Sequence, residues 1–176
     1  MPERKRARTL VEAYVYLDLA GGSRDATTQE TADGWVVRLG GAEVLVPRES
    51  EARARERDLV FGAGVSELID PGQWVLIATT YARRAMEGAL YSAADPSDAR
   101  KHDEVASGWR FAAEALEEAL KFFPDGAAEL ESEEFWTETG RSLRASEPDR
   151  VTRAKLEKDL AFYHRSLDDF LRLHGR

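Results

Sequence analysis

An α+β fold is predicted by three features of the sequence: strand-like alternation over residues 11–19, closely spaced glycine turns up to Pro47, and a switch to helical periodicity at Asp70. The expected architecture is an N-terminal antiparallel β-meander of three to four strands over residues 10–47, packed on a C-terminal helical bundle over residues 70–176 with a central buried helix. A chain of 176 residues is long enough for one well-buried domain and short for two, so residues 1–176 are expected to form a single domain.

The first nine residues carry Arg4, Lys5, Arg6 and Arg8 and are read as a mobile basic tail. They have the charged beginning of a signal peptide, but the following "VEAYVYLDLA" contains Glu12 and Asp18 where an uninterrupted apolar run is required. That segment reads as the first strand: Val11, Ala13, Val15, Leu17 and Leu19 alternate with Glu12, Tyr14, Tyr16 and Asp18. Gly21-Gly22, Asp33-Gly34 and Gly40-Gly41 then mark turns around "SRDATTQETA", "WVVRL" and "AEVLV". Pro47 cannot donate to a ladder and closes the last strand. "RESEARARERD" follows as a solvated helix supported by Glu51 and Arg55 four residues apart, with no apolar stripe to bury.

From Asp70 the helix starts are marked by their caps. Asp70-Pro71-Gly72-Gln73 combines a capping Asp, Pro at the first helical position and Gln at the third. Asp95-Pro96 and Ser146-Glu147-Pro148-Asp149 are read as two further starts, giving three long helices. The first has two apolar stripes, Trp74, Ile77, Ala78, Tyr81, Ala85 and Val75, Thr79, Ala82, Met86, Leu90, which leaves a narrow polar sector of Gln73, Thr80, Arg83, Arg84 and Glu87. It is therefore placed at the centre. Its uncharged run, Trp74–Ala82, is about half the roughly 20 residues a bilayer requires, so no membrane partner is expected.

The second helix buries Val105, Trp109, Ala112, Leu116 and Leu120 and turns Ser107, Arg110, Glu114, Glu117, Glu118 and Lys121 outward, stopping before Pro124. "SEEFWTETGRSL" suggests a shorter helix. The last helix carries Leu156, Leu160, Tyr163, Leu167, Phe170 and His174 at alternating spacings of four and three, and ends at Gly175.

No phosphate loop, dinucleotide fingerprint, zinc-protease motif, nucleophile elbow or calcium loop is present. "FGAGVSEL" has the G-x-G spacing without the third glycine and reads as a tight turn. The absence of cysteine excludes disulfides, thiolate nucleophiles and thiolate-ligated metals, and fits a cytoplasmic protein. His102, Asp103 and Glu104 are consecutive and cannot converge on one metal from a helix; they read as a solvated first turn. His164 and Asp168 share a helix face but are only two groups, so no metal and no cofactor is assigned.

Charge carries more information than any motif. The net charge of −8 argues against a nucleic-acid partner. Between His102 and Thr139 stand 11 acidic residues against Arg110 and Lys121. An acidic helical face of this density favours a basic protein partner, with Glu117, Glu118, Glu131, Glu133, Glu134, Phe135, Trp136 and Glu138 as the binding residues. Adjacent Phe135 and Trp136 cannot both enter one core, so one aromatic is expected at the surface, ringed by acids.

The leading expectation is a small bacterial-type inhibitor or immunity-type protein, and not an enzyme. Two alternatives stand beside it. One is an enzyme or small-ligand binder with a pocket between meander and central helix lined by Tyr14, Tyr16, Trp35, Tyr81 and Arg84. The other is a self-assembling subunit, a homodimer through the C-terminal helix.

Overall fold

The segment read as the first strand is a helix. In the computed structural model, which describes residues 4–22 and 24–174, α1 spans Leu10–Gly21, and Thr9 Oγ1 accepts the Glu12 amide at 3.1 Å as its N-cap. The alternation fails because its members do not share a face. Ala13 and Leu17, four apart, are fully buried, whereas Val11 and Leu19 stand in solvent. The decisive local signal is Thr9 followed three residues later by Glu12, a capping-box spacing.

The strands are β1, Lys5–Arg6; β2, Thr27–Thr31; β3, Gly34–Leu39; and β4, Ala42–Pro47, in the order β1-β4-β3-β2. β2, β3 and β4 form the expected antiparallel meander. The fourth strand corrects the sequence reading twice over. It is β1, taken from the supposed mobile tail, and it runs parallel to β4, with Lys5 opposite Val44 and Arg6 opposite Leu45. Ala7 and Thr9 are buried beside it. Residues 1–3 of the tail reading lie outside the described residues.

Turn chemistry positions the sheet. Gly40 opens the two-residue loop between Leu39 and Ala42 at φ 56°, a conformation that glycine adopts without steric cost. At Gly34, a Cβ would lie 2.1 Å from the Val46 carbonyl oxygen, so only glycine lets β3 begin this close to β4. β2, "TTQET", is almost wholly exposed, as befits a polar edge strand.

α1 packs on β3 and β4. α2, Arg48–Glu56, differs from the solvated connector expected of it: Ala54 is buried, and the buried Glu51 carboxylate accepts the Leu10 amide at 2.8 Å, satisfying the start of α1. The G-x-G of "FGAGVSEL" turns at φ 113° for Gly62 and 76° for Gly64. Their carbonyls accept from Arg8 Nη1 at 3.4 and 2.6 Å. This loop is an arginine seat.

The chain divides into two compact units, Met1–Ile69 and Asp70–Arg176. The second contains α3, Pro71–Ala94; α4, Ala99–Leu120; α5, Glu138–Ser146; and α6, Arg153–Leu173, with 3-10 turns at Ser132–Glu134 and Pro148–Val151. The capping box at Asp70 is present in full: Asp70 Oδ1 accepts the Gln73 amide at 2.9 Å, and Gln73 Oε1 accepts the Asp70 amide at 3.0 Å. The other two starts fall later than the Pro-containing motifs suggest. Asp98 caps α4 and Thr152 caps α6, while Asp95 and Glu147 close the preceding helices. In each case the proline joins the connection and a side-chain oxygen further along, two residues on at Asp98 and four on at Thr152, takes the cap.

α4 packs on both α3 and α6. Of its expected stripe Val105, Trp109, Ala112 and Leu116 are buried and Leu120, at the helix end, is half-buried; α6 answers with Leu156, Tyr163 and Phe170. Within the same expected stripe of α6, Leu160, Leu167 and His174 are half-buried. The expected end of α6 at Gly175 lies outside the described residues. On α3 the first stripe is largely buried, but the second is not continuous: Met86 and Leu90 are exposed, together with Tyr91. No helix among the described residues is long and apolar enough to cross a membrane.

Candidate functional site

The segment that carries most of the unbalanced negative charge runs from Phe122 to Gly140 and contains six acids and no Lys or Arg. The expected short helix over "SEEFWTETGRSL" is split: a 3-10 turn, Ser132–Glu134, precedes α5, and Phe135-Trp136 occupies the break. The break sends the two aromatics in opposite directions. Phe135 is 2% exposed and carries the Arg144 guanidinium 5.6 Å from its ring centroid. Trp136 is 39% exposed, its ring 5.9 Å from that of Phe122 at the end of α4.

The backbone beneath Trp136 is fixed from both sides. Arg141 Nη1 donates to its carbonyl at 2.7 Å. The next residue, Thr137, donates through its amide and its hydroxyl to Asp70 Oδ2, at 2.9 and 2.6 Å. Asp70 is fully buried, so one carboxylate caps α3 through Oδ1 and anchors the Trp136 loop through Oδ2. Thr137 Oγ1 in turn accepts the Gly140 amide at 2.9 Å and caps α5. Close packing completes the joint: a Cβ on Gly140 would fall 2.2 Å from Asp70 Oδ2, and one on Gly72 would fall 2.6 Å from the Gly140 Cα.

Around the indole, Glu131, Glu133 and Glu138 are exposed and Glu134 is half-buried. Among the described residues, these four, Asp125 and Glu129 form no ion pair. Acids elsewhere are commonly paired, as in Arg38 and Arg4 with Glu43, Lys155 with Asp159 and Arg150 with Glu147. The face around Trp136 therefore presents its charge uncompensated, which concentrates negative potential there.

Three of the expected binding residues, Phe135, Glu118 and Glu117, do not belong to this face. Phe135 is core. Glu118, read as outward-facing, is 4% exposed and bonds to Lys121; one turn of α4 carries it under the surface beside Ala115 and Ala119. Glu117 is exposed, with its Oε1 3.9 Å from His164 Nε2. Asp168 is exposed, and no group of three or more potential ligands among the described residues could hold a metal.

The five residues of the alternative pocket fall in different units. Tyr14 bonds to Thr28, Tyr16 receives Lys5 Nζ at 2.6 Å, and Arg48 stands 5.0 Å over the Trp35 ring, all in the first unit. Tyr81 and Arg84 lie in the second, in an open groove of about 780 Å³ between α3 and α4 whose other walls include Tyr91, Lys101 and Phe111. Comparison with protein-family models, curated proteins and solved structures finds no match for this chain.

One titratable pair was missed at the sequence level. His102 is not a solvated first-turn residue: its ring stacks on His174 at 4.0 Å, Phe170 packs 4.3 Å from His174, and His102 Nε2 is buried without a hydrogen-bond partner. Burial, and then the neighbouring His102, hold the His174 pKa below its ordinary value of 6.5. A depressed folded-state pKa means that the unfolded chain binds more protons, so this contribution is complete above the unfolded value and is lost as pH falls through the folded one. The C-terminal turn of α6 is expected to lose hydrogen-exchange protection as pH falls below the ordinary histidine value, and His174→Phe is expected to remove that pH dependence.

Proposed function

We propose that this chain is a protein-binding protein whose site is the acidic face around Trp136 and whose partner presents a basic surface. The observation that carries this reading is an exposed indole on a backbone fixed by Asp70 and Arg141, in a segment whose acids form no ion pair among the described residues. A large side chain already held in place loses little freedom on binding, which is what a binding anchor needs. The surrounding carboxylates steer a cationic surface toward it and repel nucleic acid. Where the basic surface is itself a partner's working site, its capture is inhibition, the role an immunity-type protein performs in the cytoplasm of its producer.

The test is selection of binders from a displayed library of small domains, with the folded wild-type chain as bait. Clones enriched on it are expected to carry Lys/Arg-rich surfaces. Trp136→Ala should weaken them by a factor on the order of 30 or more. Raising salt from about 0.05 M to about 0.5 M should weaken them further, and Glu133→Lys with Glu134→Lys should abolish binding. Enriched binders that ignore salt and bind the doubly reversed variant as tightly as wild type would overturn the acidic-face reading.

A further inference from the structure

We propose that the β2 edge of the sheet is completed by the β2 edge of a second copy of this chain, the two strands paired antiparallel about a two-fold axis at Gln29. The two edges of the sheet are built differently. β1 is two residues long and carries Lys5 and Arg6, a short cationic edge of the kind that discourages further pairing. β2 has none of those devices. It pairs with β3 over all five of its residues in an unbroken register, contains no Lys or Pro, and consists mostly of Thr, which favours extended backbone. α1 and α2 pack on β3 and β4, and α1 touches β2 through the Tyr14 hydroxyl at Thr28 Oγ1. The charges beside the edge are already answered within the chain: Glu30 by Arg48 Nη2 at 3.0 Å, and Arg38 by Glu43 Oε2 at 2.8 Å. What the edge offers is backbone.

Which backbone groups are open follows from the turn. Thr31 lies opposite Gly34 across the two-residue loop Ala32-Asp33, and such a loop closes on a hydrogen-bonded pair. Pairs alternate from there, so Glu30, opposite Trp35, and Thr28, opposite Val37, are not bonded to β3 and aim amide and carbonyl outward. The Arg48 amide, which donates to the Asp33 carbonyl at 3.0 Å, fits the same alternation on the β4 side. Two such edges must meet outward residue to outward residue, which places a two-fold at Thr28, Gln29 or Glu30. At Glu30 it would set the two Glu30 side chains against each other, and at Thr28 it would leave Thr31 facing residues beyond the partner strand. At Gln29 the whole strand is used. Thr28 of each copy exchanges both backbone bonds with Glu30 of the other, Thr27 faces Thr31, and the two Gln29 amides face each other. "TTQET" is thus self-complementary in one register, with no like charges opposed within the strand, and the sheet continues through both copies. All of these residues belong to the first unit, so this pairing stands or falls separately from the reading of the Trp136 face.

Sedimentation velocity on the full-length chain, from about 10 µM to about 500 µM, is expected to show a monomer–dimer equilibrium, with the Thr28 and Glu30 amides gaining hydrogen-exchange protection over the same range. Thr28→Pro removes an outward amide without touching the β2–β3 ladder and should raise the dimer dissociation constant by a factor of about ten or more. Thr28→Val loses the hydroxyl bonded to Tyr14 but keeps the amide, and should dimerise as wild type does. The register is read by cross-linking, because the chain has no cysteine of its own. Residues opposed at a non-bonded antiparallel pair have Cα atoms about 4.5 Å apart, within disulfide reach, so Gln29→Cys should oxidise to a covalent dimer. Thr27→Cys and Thr31→Cys should each stay monomeric when oxidised alone and link to one another when mixed. These exposed substitutions keep every backbone amide, so they decide the matter if circular dichroism shows Thr28→Pro to be unfolded. A wild-type monomer over the whole range overturns the proposal. So does a dimer that folded Thr28→Pro leaves intact, or a Gln29→Cys chain that fails to link.

Discussion

Arg8→Ala is expected to be the most destabilising single substitution on the surface of the first unit, costing about 3–5 kcal/mol by urea unfolding. The reason is Glu12, which is 1% exposed. Arg8 wraps it: the Arg8 amide donates to Glu12 Oε2 at 2.7 Å, Nη2 donates to Oε1 at 2.8 Å, and Nε reaches both oxygens at 3.2 and 3.1 Å. The remaining guanidinium nitrogen closes the "FGAGVSEL" loop through the Gly62 and Gly64 carbonyls. Removing the side chain leaves a buried carboxylate without its countercharge and a loop without its clasp. Arg8→Lys keeps the charge but not the fork, and should recover only part of the loss. Arg8→Met combined with Glu12→Leu should recover most of it, because no buried charge is then left unpaired. An Arg8→Ala chain within about 0.5 kcal/mol of wild type would show that Glu12 is satisfied by other groups.

Asp70→Ala is expected to cost about 3 kcal/mol in the second unit, the sum of a lost N-cap and of charge-assisted hydrogen bonds to Thr137. Its consequence extends to the proposed site. With Asp70 gone, Thr137 loses both of its bonds to the start of α3, and the Trp136 loop is no longer tied to that helix. Iodide quenching of tryptophan fluorescence should rise in Asp70→Ala and fall below the wild-type level when Trp136 is also replaced by Phe, since Trp136 is the most exposed tryptophan. Thr137→Val leaves the α3 capping box intact while cutting both the hydroxyl bond to Asp70 and the cap of α5, so it should cost about 2 kcal/mol and still raise quenching. Quenching that is unchanged in Asp70→Ala would detach the carboxylate from the placement of Trp136. Gly140→Ala should reproduce the loss of stability by steric means, since its Cβ and the Asp70 carboxylate cannot share the same space.

Local rules succeeded where the chain itself supplies both partners. The capping box at Asp70 and Gln73, the Gly40-Gly41 hairpin, the stop at Pro47 and the α4 stripe all depend on groups a few residues apart. They failed where two local patterns competed. Over residues 10–21 strand-like alternation and the Thr9-x-x-Glu12 cap were both present, and helix formation followed the cap. Surface assignments failed for a related reason. Glu12, Glu51 and Glu118 read as solvent-facing by residue type, yet each is buried because a particular donor reaches it: the Arg8 guanidinium, the Leu10 amide and Lys121.

The candidate face was legible in part. The density of acids and the conflict between Phe135 and Trp136 could be read directly, because both follow from composition and from the directions of neighbouring side chains. Which aromatic would face solvent, and that its backbone would be held there, could not. That outcome depends on Asp70 meeting Thr137 across 67 positions of sequence. The groove between α3 and α4 was hidden for the same reason, since Tyr81 and Phe111 become neighbours only when the two helices fold back on one another.

By itself, then, the sequence determined the α+β class, the antiparallel hairpins, the long helices and the sign of the surface charge, all of which arise from periodicity, turn residues and composition within short windows. Tertiary structure decided the parallel pairing of β1 with β4, the burial of three glutamates, the outward turn of Trp136 and the uncovered groove. Each of these requires a contact between distant segments, and the free energy of such a contact depends on which polar groups meet once water has been excluded.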